Sequence, residues 1–287
     1  TAQVAAMTTT TIQALESADV IALTTAQINA LTSTQVGALT TSQVKALALD
    51  DVASMGTTQL KGLSTTQIGA MTVTQLNALT TTEVAALGTD QVKGLSKTQI
   101  TGLSETNLKA FGTAQVAALT TTQLSGLSDT QAKALTTAQV RAMSPSQLAQ
   151  MTTAQIQSLN KTAVASLTTS QLAALEDPQV KALTSDQVKA LTSEQLNSLS
   201  ESQLTSIDTG DIAAISGANI AKLSSSQISR LTTSQVAALT NSQVKALTAE
   251  QIKNLTDEQI KGMEAADIAV LTTAQVSALL PNQLTQM

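Results

Sequence analysis

An eight-residue repeat runs without interruption through the whole chain. Counted in steps of eight from Met7 to Met287, every position is Leu, Met, Ile or Phe. A second apolar series runs in the same steps from Val4 to Leu284 and is interrupted only by Ala132. The consensus octad is LTTxQVxA. A fixed period of this kind indicates a repeat architecture, so we expect a single uninterrupted octad-repeat solenoid over residues 1–287.

Eight residues are an unsuitable period for either uniform secondary structure. In one continuous α-helix each octad would turn by about 800°, so the apolar stripe would slip by about 80° per repeat and face no fixed partner. In a β-solenoid the inward residues share one parity, whereas the Leu series is odd and the Val series even. We therefore expect an all-α superhelix with one very short helix in each octad.

The polar residues of the octad are typical of helix starts. With Thr136 as N-cap, Gln139 is the third helical residue, and the two form a capping box in which each side chain accepts from the other's main-chain N–H. Pro145 and Pro281 then lie at the first helical position, where a missing N–H costs nothing. Pro178 lies one place later.

The charges agree with this helix direction. All 20 acidic residues lie at the cap or the first three helical positions, and most basic residues lie at the fifth, which is the distribution that the helix dipole favours. Only Lys97 and Lys161 oppose it. The fifth-position residues include Lys45, Lys61, Lys93, Lys109, Lys133, Arg141, Lys181, Lys189, Lys245, Lys253 and Lys261.

The joint between helices is about one residue long, too short to reverse the chain. Successive helices should therefore wind into a tight superhelix with Val and Leu inside. The residue before Leu is usually small, as at Gly62 and Gly94, which suggests close helix approach. We expect three to four helices per turn and favour four, because Asp19, Asp51 and Glu83 replace Gln at intervals of 32 residues. The spacing of the lysines favours a period of 24 residues, so three helices per turn stays open.

The composition leaves little catalytic chemistry. There is no Cys or His, and Phe111 is the only aromatic residue, so a Ser or Thr nucleophile would lack its usual base. Carboxylates are spread over the helix starts, where capping explains them. Asp50 with Asp51, or Asp257 with Glu258, could hold a cation only loosely, because no calcium-loop motif surrounds them. We predict no enzyme, no catalytic residue, no cofactor and no metal site.

Partners are constrained by charge and hydropathy. The net charge is −5 and basic residues are not clustered, which argues against nucleic acid binding. No apolar run approaches the roughly 18 residues of a membrane span, so we expect no membrane insertion. The chain begins with Thr, and we expect it to be part of a longer polypeptide.

Three classes of function fit these features. The first is a structural spacer, stalk or fibre segment. The second is a binding solenoid that presents rows of Thr, Ser and Gln to glycans or surfaces, although it lacks the usual aromatic or Arg hot spots. The third is ice binding through outward threonines at the first helical position, such as Thr25, Thr41 and Thr137.

The LTTxQVxA units, such as LTTAQVRA at residues 135–142, resemble the tandem repeats of long, repetitive bacterial surface and adhesin-like proteins. The resemblance covers the whole chain. It implies an extracellular or cell-surface polypeptide in which this segment extends between an anchor and a functional tip. Association with itself or with other surface components, and the oligomeric state, stay open.

Overall fold

A computed structural model describes all residues from 1 to 287 and contains 36 short α-helices and no β-strand. Each helix has four to six residues and occupies one octad, which confirms the predicted α-solenoid of very short helices. The chain divides into two compact units, Thr1–Met151 and Thr152–Met287. The single uninterrupted solenoid expected over residues 1–287 stays a prediction.

The first unit contains 19 helices. They are α1 (Ala2–Ala5), α2 (Thr9–Ala14), α3 (Ser17–Ala22), α4 (Thr25–Asn29), α5 (Ser33–Ala38), α6 (Thr41–Ala46), α7 (Leu49–Ser54), α8 (Thr57–Gly62), α9 (Thr65–Ala70), α10 (Val73–Ala78), α11 (Thr81–Ala86), α12 (Thr89–Lys93), α13 (Lys97–Gly102), α14 (Glu105–Ala110), α15 (Thr113–Ala118), α16 (Thr121–Leu124), α17 (Asp129–Ala134), α18 (Thr137–Ala142) and α19 (Pro145–Ala149).

The second unit contains the remaining 17 helices. They are α20 (Thr153–Ser158), α21 (Lys161–Ala165), α22 (Thr169–Ala173), α23 (Asp177–Lys181), α24 (Ser185–Ala190), α25 (Ser193–Asn197), α26 (Glu201–Ser206), α27 (Thr209–Ala214), α28 (Gly217–Ile220), α29 (Ser225–Arg230), α30 (Thr233–Ala237), α31 (Asn241–Ala246), α32 (Ala249–Lys253), α33 (Asp257–Lys261), α34 (Ala265–Ala269), α35 (Thr273–Ala278) and α36 (Pro281–Leu284).

Two extended residues form the joint between α18 and α19. Met143 has φ −66° and ψ 144°, and Ser144 has φ −71° and ψ 156°. Pro145 then begins α19 as its first residue, as predicted, and Ser144 accepts a hydrogen bond from the main-chain N–H of Gln147. A residue before proline favours this extended conformation, so the sequence and the joint agree.

Within each unit, helices pack against the helix three places further along the chain, as α5 does with α8 and α24 with α27. In the first unit this gives three columns of helices: column 1 is α2, α5, α8, α11, α14 and α17; column 2 is α3, α6, α9, α12, α15 and α18; column 3 is α4, α7, α10, α13, α16 and α19. The helices of the second unit pack with the same interval, as in α20, α23, α26, α29, α32 and α35.

The predicted range of three to four helices per turn includes the observed interval of three helices. The preference for four is wrong. The helix contacts have an interval of three octads, and the hydrogen bonds between turns join residues 25 to 31 positions apart. The acidic residues at intervals of 32 gave the wrong period because they do not mark one column. The lysine spacing of 24 residues, which equals three octads, gave the right period.

The interior consists of the two apolar series. Val140 is fully buried and Met143 is 3% exposed, and the same holds for nearly all equivalent positions. Ala132, which interrupts the Val series, is also fully buried. The inward direction predicted for both series is confirmed.

Candidate functional site

The most regular polar feature of the molecule is a buried glutamine at the third helical position. In α10, Gln75 Oε1 accepts a hydrogen bond from the N–H of the cap residue Thr72 at 2.9 Å. Gln75 Nε2 donates to the carbonyl oxygens of Val44 at 3.0 Å and Leu47 at 2.9 Å, at the end of a helix in the preceding turn. We call this pair of interactions a glutamine bridge.

Glutamine bridges recur in both units. Their glutamines are between 1 and 8% exposed, and each donates to the carbonyl oxygen 28 positions earlier. They include Gln35, Gln43, Gln59, Gln67, Gln91, Gln99, Gln115, Gln123, Gln131, Gln139 and Gln147 in the first unit. In the second unit they include Gln187, Gln195, Gln203, Gln235, Gln243, Gln251, Gln259, Gln275 and Gln283.

Sequence analysis identified only half of this role. The capping box is present at Thr136 and Gln139, as predicted. The donation by Gln139 Nε2 to the carbonyl oxygens of Leu108 and Phe111 was missed. A signal was available in the preference for Gln over Glu, because both can close a capping box but only the amide has N–H groups to donate.

Glycine occupies the cap in three octads, at Gly56, Gly88 and Gly112. Here no side chain can accept from the third helical residue, and only the return bond remains, from the glycine N–H to the Gln side chain at 2.7–2.9 Å. The bridge to the preceding turn is retained, for example from Gln91 to Leu60 and Leu63. The bridge therefore does not depend on the cap hydroxyl.

Asparagines in two helices form a second kind of cross-turn contact. Asn77 Nδ2 donates to the Gly102 carbonyl oxygen at 2.8 Å, and Asn77 Oδ1 accepts from the Ser104 N–H at 2.8 Å. The third helical residue after Ser104 is Asn107, which does not return to the cap N–H. Asn77, in the neighbouring turn, therefore provides the acceptor for the Ser104 N–H. In a regular octad the longer Gln of the same helix provides it.

The equivalent contact at Asn197 has a different consequence. Asn197 Oδ1 accepts from the Ser224 N–H at 2.8 Å, and Asn197 Nδ2 donates to the Lys222 carbonyl oxygen at 3.1 Å. Here the local third residue is Gln227, which could also accept from Ser224. Because Asn197 takes that N–H, the buried Gln227 Oε1 has no hydrogen-bond partner.

Where the residue before Leu is glycine, it faces the first helical residue of the helix three places earlier. A Cβ atom added at Gly94 would contact the Thr65 methyl group and lie 2.9 Å from the Thr65 carbonyl oxygen. A Cβ at Gly102 would contact Val73. The close helix approach inferred from the sequence is confirmed at these positions.

The basic residues at the fifth helical position follow the columns of the first unit. Column 1 carries Lys61, Lys109 and Lys133, and column 2 carries Lys45, Lys93 and Arg141, all exposed. The fifth position of column 3 is uncharged throughout, with Asn29, Ala53, Asn77, Thr101, Ser125 and Ala149. Two of the column 3 residues, Asn77 and Thr101, instead donate across turns to main-chain oxygens.

Two basic residues that depart from the octad pattern form ion pairs between turns. Lys161, which opposes its helix dipole, lies 3.8 Å from Asp186. Arg230, at the usual small-residue position, lies 3.7 Å from Glu201. Both pairs are largely exposed, so each contributes at most about 1 kcal/mol. They add to turn-to-turn packing and assemble no site.

The predicted cation candidates are not brought together. Asp50 is exposed while Asp51 is 3% exposed, and Asp51 accepts a hydrogen bond from the Thr25 hydroxyl at 2.9 Å. Asp257 accepts from the Asn282 side chain. No three His, Cys, Asp or Glu side chains form a group that could hold a metal ion. The absence of catalytic, cofactor and metal sites stays a prediction.

Two further groups of residues bear on function. The threonines considered for ice binding differ, since Thr41 and Thr137 are exposed while Thr25 is half-buried against Asp51. Asp267 has a raised pKa, chiefly because burial disfavours its charged form, with the Glu264 charge adding to the rise and a main-chain hydrogen bond from Glu264 opposing it. None of the helices has the length and apolar character needed to cross a membrane.

Comparison with known families identifies the repeat. The model of the ALTTAQ repeat matches the chain six times, at residues 12–49, 46–81, 74–105, 105–137, 164–201 and 204–241. The matches lie in both units and together cover more than half of the chain. A search of curated proteins gave no match.

Proposed function

Because the chain belongs to the ALTTAQ repeat family, we propose that its function resides in the repeat array as a whole, as a non-enzymatic structural spacer. In this proposal the array forms part of an extracellular or cell-surface, adhesin-like bacterial protein. Its task is to hold neighbouring parts of that protein apart. The observation that carries the proposal is the recurrence of glutamine bridges in turn after turn of both units.

The bridges support a mechanical role because they join turns as well as helices. Each buried amide satisfies a helix start and two carbonyl oxygens of the preceding turn, for example from Gln91 to Leu60 and Leu63, both at 2.7 Å. Separating two turns would exchange these hydrogen bonds for bonds to water, at a net cost of about 0.5–1.5 kcal/mol each. It would also expose the buried apolar residues between the turns, so the array resists local opening.

The distribution of polar groups favours the same interpretation. The cap hydroxyl and the Gln side chain of a regular octad are occupied by the capping box and the bridge, as at Thr72 and Gln75. Such a repeat can be lengthened by adding units, since each helix needs only near neighbours. A spacer of adjustable length uses this property directly.

A length series on a bacterial surface tests the proposal. The chain is placed between a cell-wall anchor and an epitope, and blocks of three octads, such as residues 64–87, are deleted so that each helix keeps a partner three places away. We expect binding of a bulky antibody-coated bead to fall in steps as octads are removed. The control is a Gly/Ser linker with the same number of residues.

Two results would contradict the spacer. Equal bead binding at every length would show that extension is not the task of the array. Loss of binding from one particular block, with no effect of other blocks of equal length, would indicate a specific ligand site instead.

A further inference from the structure

Three successive helices of the second unit, α27, α28 and α29, lack a complete glutamine bridge. In a complete bridge one amide accepts from the N–H of its own cap and donates to the carbonyl oxygen 28 positions earlier. The third helical residues here are Asp211, Asn219 and Gln227. In α5–α19 and α30–α36, a helix without a complete bridge always lies between two helices that have one. These isolated helices are α7, α11, α14 and α34.

Neither α27 nor α28 has an amide that reaches both partners. The carboxylate of Asp211 has no N–H to donate and instead accepts from the Ser185 hydroxyl. Asn219 donates to one carbonyl oxygen of the preceding turn at 2.9 Å but does not return to the N–H of its cap. Both helices also contain a glycine in the first turn, Gly210 and Gly217, which lowers their helix propensity.

The bridge of α29 is complete on one side only. Gln227 Nε2 donates to the Leu199 carbonyl oxygen at 2.9 Å, as in a regular bridge. The Ser224 N–H, which Gln227 Oε1 would otherwise accept, donates to Asn197 Oδ1 at 2.8 Å. Gln227 Oε1 is therefore buried without a partner. An unpaired buried acceptor is unfavourable, so the closed contact between these turns carries a cost that complete bridges do not.

The contacts that replace the missing bridges lie at the surface. The hydrogen bonds of Asp211 and Asn197 across the turns are exposed, and so is the ion pair of Arg230 with Glu201. Water competes for exposed groups of this kind, so such contacts contribute little. The bridging Gln203, by contrast, is only 3% exposed. Opening the contact of α27–α29 with the preceding turn therefore costs less than opening completely bridged turns.

Opening also restores a hydrogen bond at the start of α29. When the preceding turn moves away, Asn197 leaves the Ser224 N–H, and Gln227 Oε1 accepts it as the Gln of a regular capping box does. At the complete bridge of Gln235 the cap N–H is already bonded to the amide, at 2.9 Å, so opening gains nothing there. The start of α29 thus has one hydrogen-bonded arrangement for the closed contact and another for the open one.

We propose that the contact of α27–α29 with the preceding turn is a release point, at which the second unit opens before its completely bridged turns. In a spacer, a release point lets the array lengthen by one defined step under load while the bridged turns stay closed. This use under load rests on the proposed function. The opening itself does not.

Hydrogen–deuterium exchange of the full chain, followed by mass spectrometry, tests the opening. After correction for intrinsic rates, amides of residues 208–230 should exchange about tenfold or more faster than those of residues 232–255, because exchange follows the free energy of local opening. Residues 232–255 form α30–α32, which have complete bridges. They also lie closer to residue 287, so fraying from that end would give the opposite order.

A triple variant tests the cause of the opening. Asp211→Gln and Asn219→Gln give α27 and α28 the amide of a complete bridge, and Asn197→Ala leaves the Ser224 N–H to Gln227. Exchange of residues 208–230 should then slow to the rate of residues 232–255. The matched control is Glu194→Gln, which also removes one carboxylate, from an exposed position, and should leave exchange unchanged.

Equal protection of the two segments in the native chain would overturn the release point. Fast exchange that persists in the folded triple variant would overturn it as well, because the missing bridges would not be the cause. Pulling the full chain from both ends in an optical trap tests the use under load. The native chain should show a first extension step at low force that the triple variant lacks. A native chain without that step would overturn the use under load, whereas equal bead binding in the length series would contradict the spacer alone.

Discussion

Gln75 and Leu47 lie 28 residues apart in the sequence, yet Gln75 Nε2 donates to the Leu47 carbonyl oxygen at 2.9 Å. The Oε1 atom of the same side chain accepts from the Thr72 N–H at 2.9 Å. A single amide thus joins the start of its own helix to the end of a helix in the preceding turn. Local capping and turn-to-turn packing are satisfied by the same buried residue, and their contributions can be separated by substitution.

Replacing Gln75 by Glu should destabilise the chain by about 1–3 kcal/mol, because the carboxylate keeps the capping bond but leaves the Leu47 oxygen without a donor and the Val44 oxygen with only the Leu47 N–H. The matched control is Gln27→Glu. Gln27 caps Thr24 in the same way at 2.8 Å but has no bridge to a preceding turn. Urea unfolding followed by circular dichroism measures both, and equal losses would show that the bridge contributes nothing beyond the cap.

Removing one cap hydroxyl with Thr136→Ala should cost about 1 kcal/mol, because the N–H of Gln139 loses its acceptor at 3.2 Å. Thr137→Ala, one residue later and exposed, should change stability by less than about 0.5 kcal/mol. The free energies of unfolding of both variants provide the measurement. An unchanged stability of Thr136→Ala would count against the capping argument.

Gly94→Ala should destabilise by about 1–3 kcal/mol, since the new methyl group would overlap Thr65 in the adjacent turn. Gly210→Ala should instead stabilise by about 0.4–1 kcal/mol, because nothing lies within 4 Å of its Cβ position and its φ is not positive. Opposite shifts in Tm are expected. Stabilisation of both variants would mean that helix propensity, and not helix approach, determines the effect of Gly94→Ala.

Asn77→Ala should cost more than Asn197→Ala. Without Asn77 the Ser104 N–H loses its acceptor, since Asn107 does not reach it. Without Asn197 the Ser224 N–H becomes available to the unpaired Oε1 of Gln227. We expect a difference of about 1 kcal/mol in unfolding free energy. Equal costs would show that Gln227 does not take over.

Asp267→Asn should remove a pH-dependent loss of stability. The pKa of Asp267 is raised above its ordinary value of 3.8 in the folded chain, so the folded state holds this proton more tightly than the unfolded state. The contribution of Asp267 to stability is therefore fully present below pH 3.8 and falls as pH rises through the folded pKa. The variant should gain stability over the native chain on going from acidic to neutral pH. A constant difference between the two proteins in urea unfolding would contradict this.

The sequence by itself determined the helices and their ends. The cap hydroxyls, the position of Pro145, the direction given by the charges and the two apolar series all act within one octad, so each could be derived from neighbouring residues. The small residue before Leu also indicated that helices approach closely. Local hydrogen bonding and sterics are sufficient for these features.

Only the tertiary structure decided how the octads assemble. The interval of three helices, the second bond of Gln75 and the contact of Asn77 with Ser104 depend on the angle at which one short helix follows another. Close packing between turns, as at Gly94 against Thr65, fits that angle. Because every octad carries nearly the same residues, the pattern fixes what each helix offers to its neighbours, while geometry alone selects which neighbour receives it.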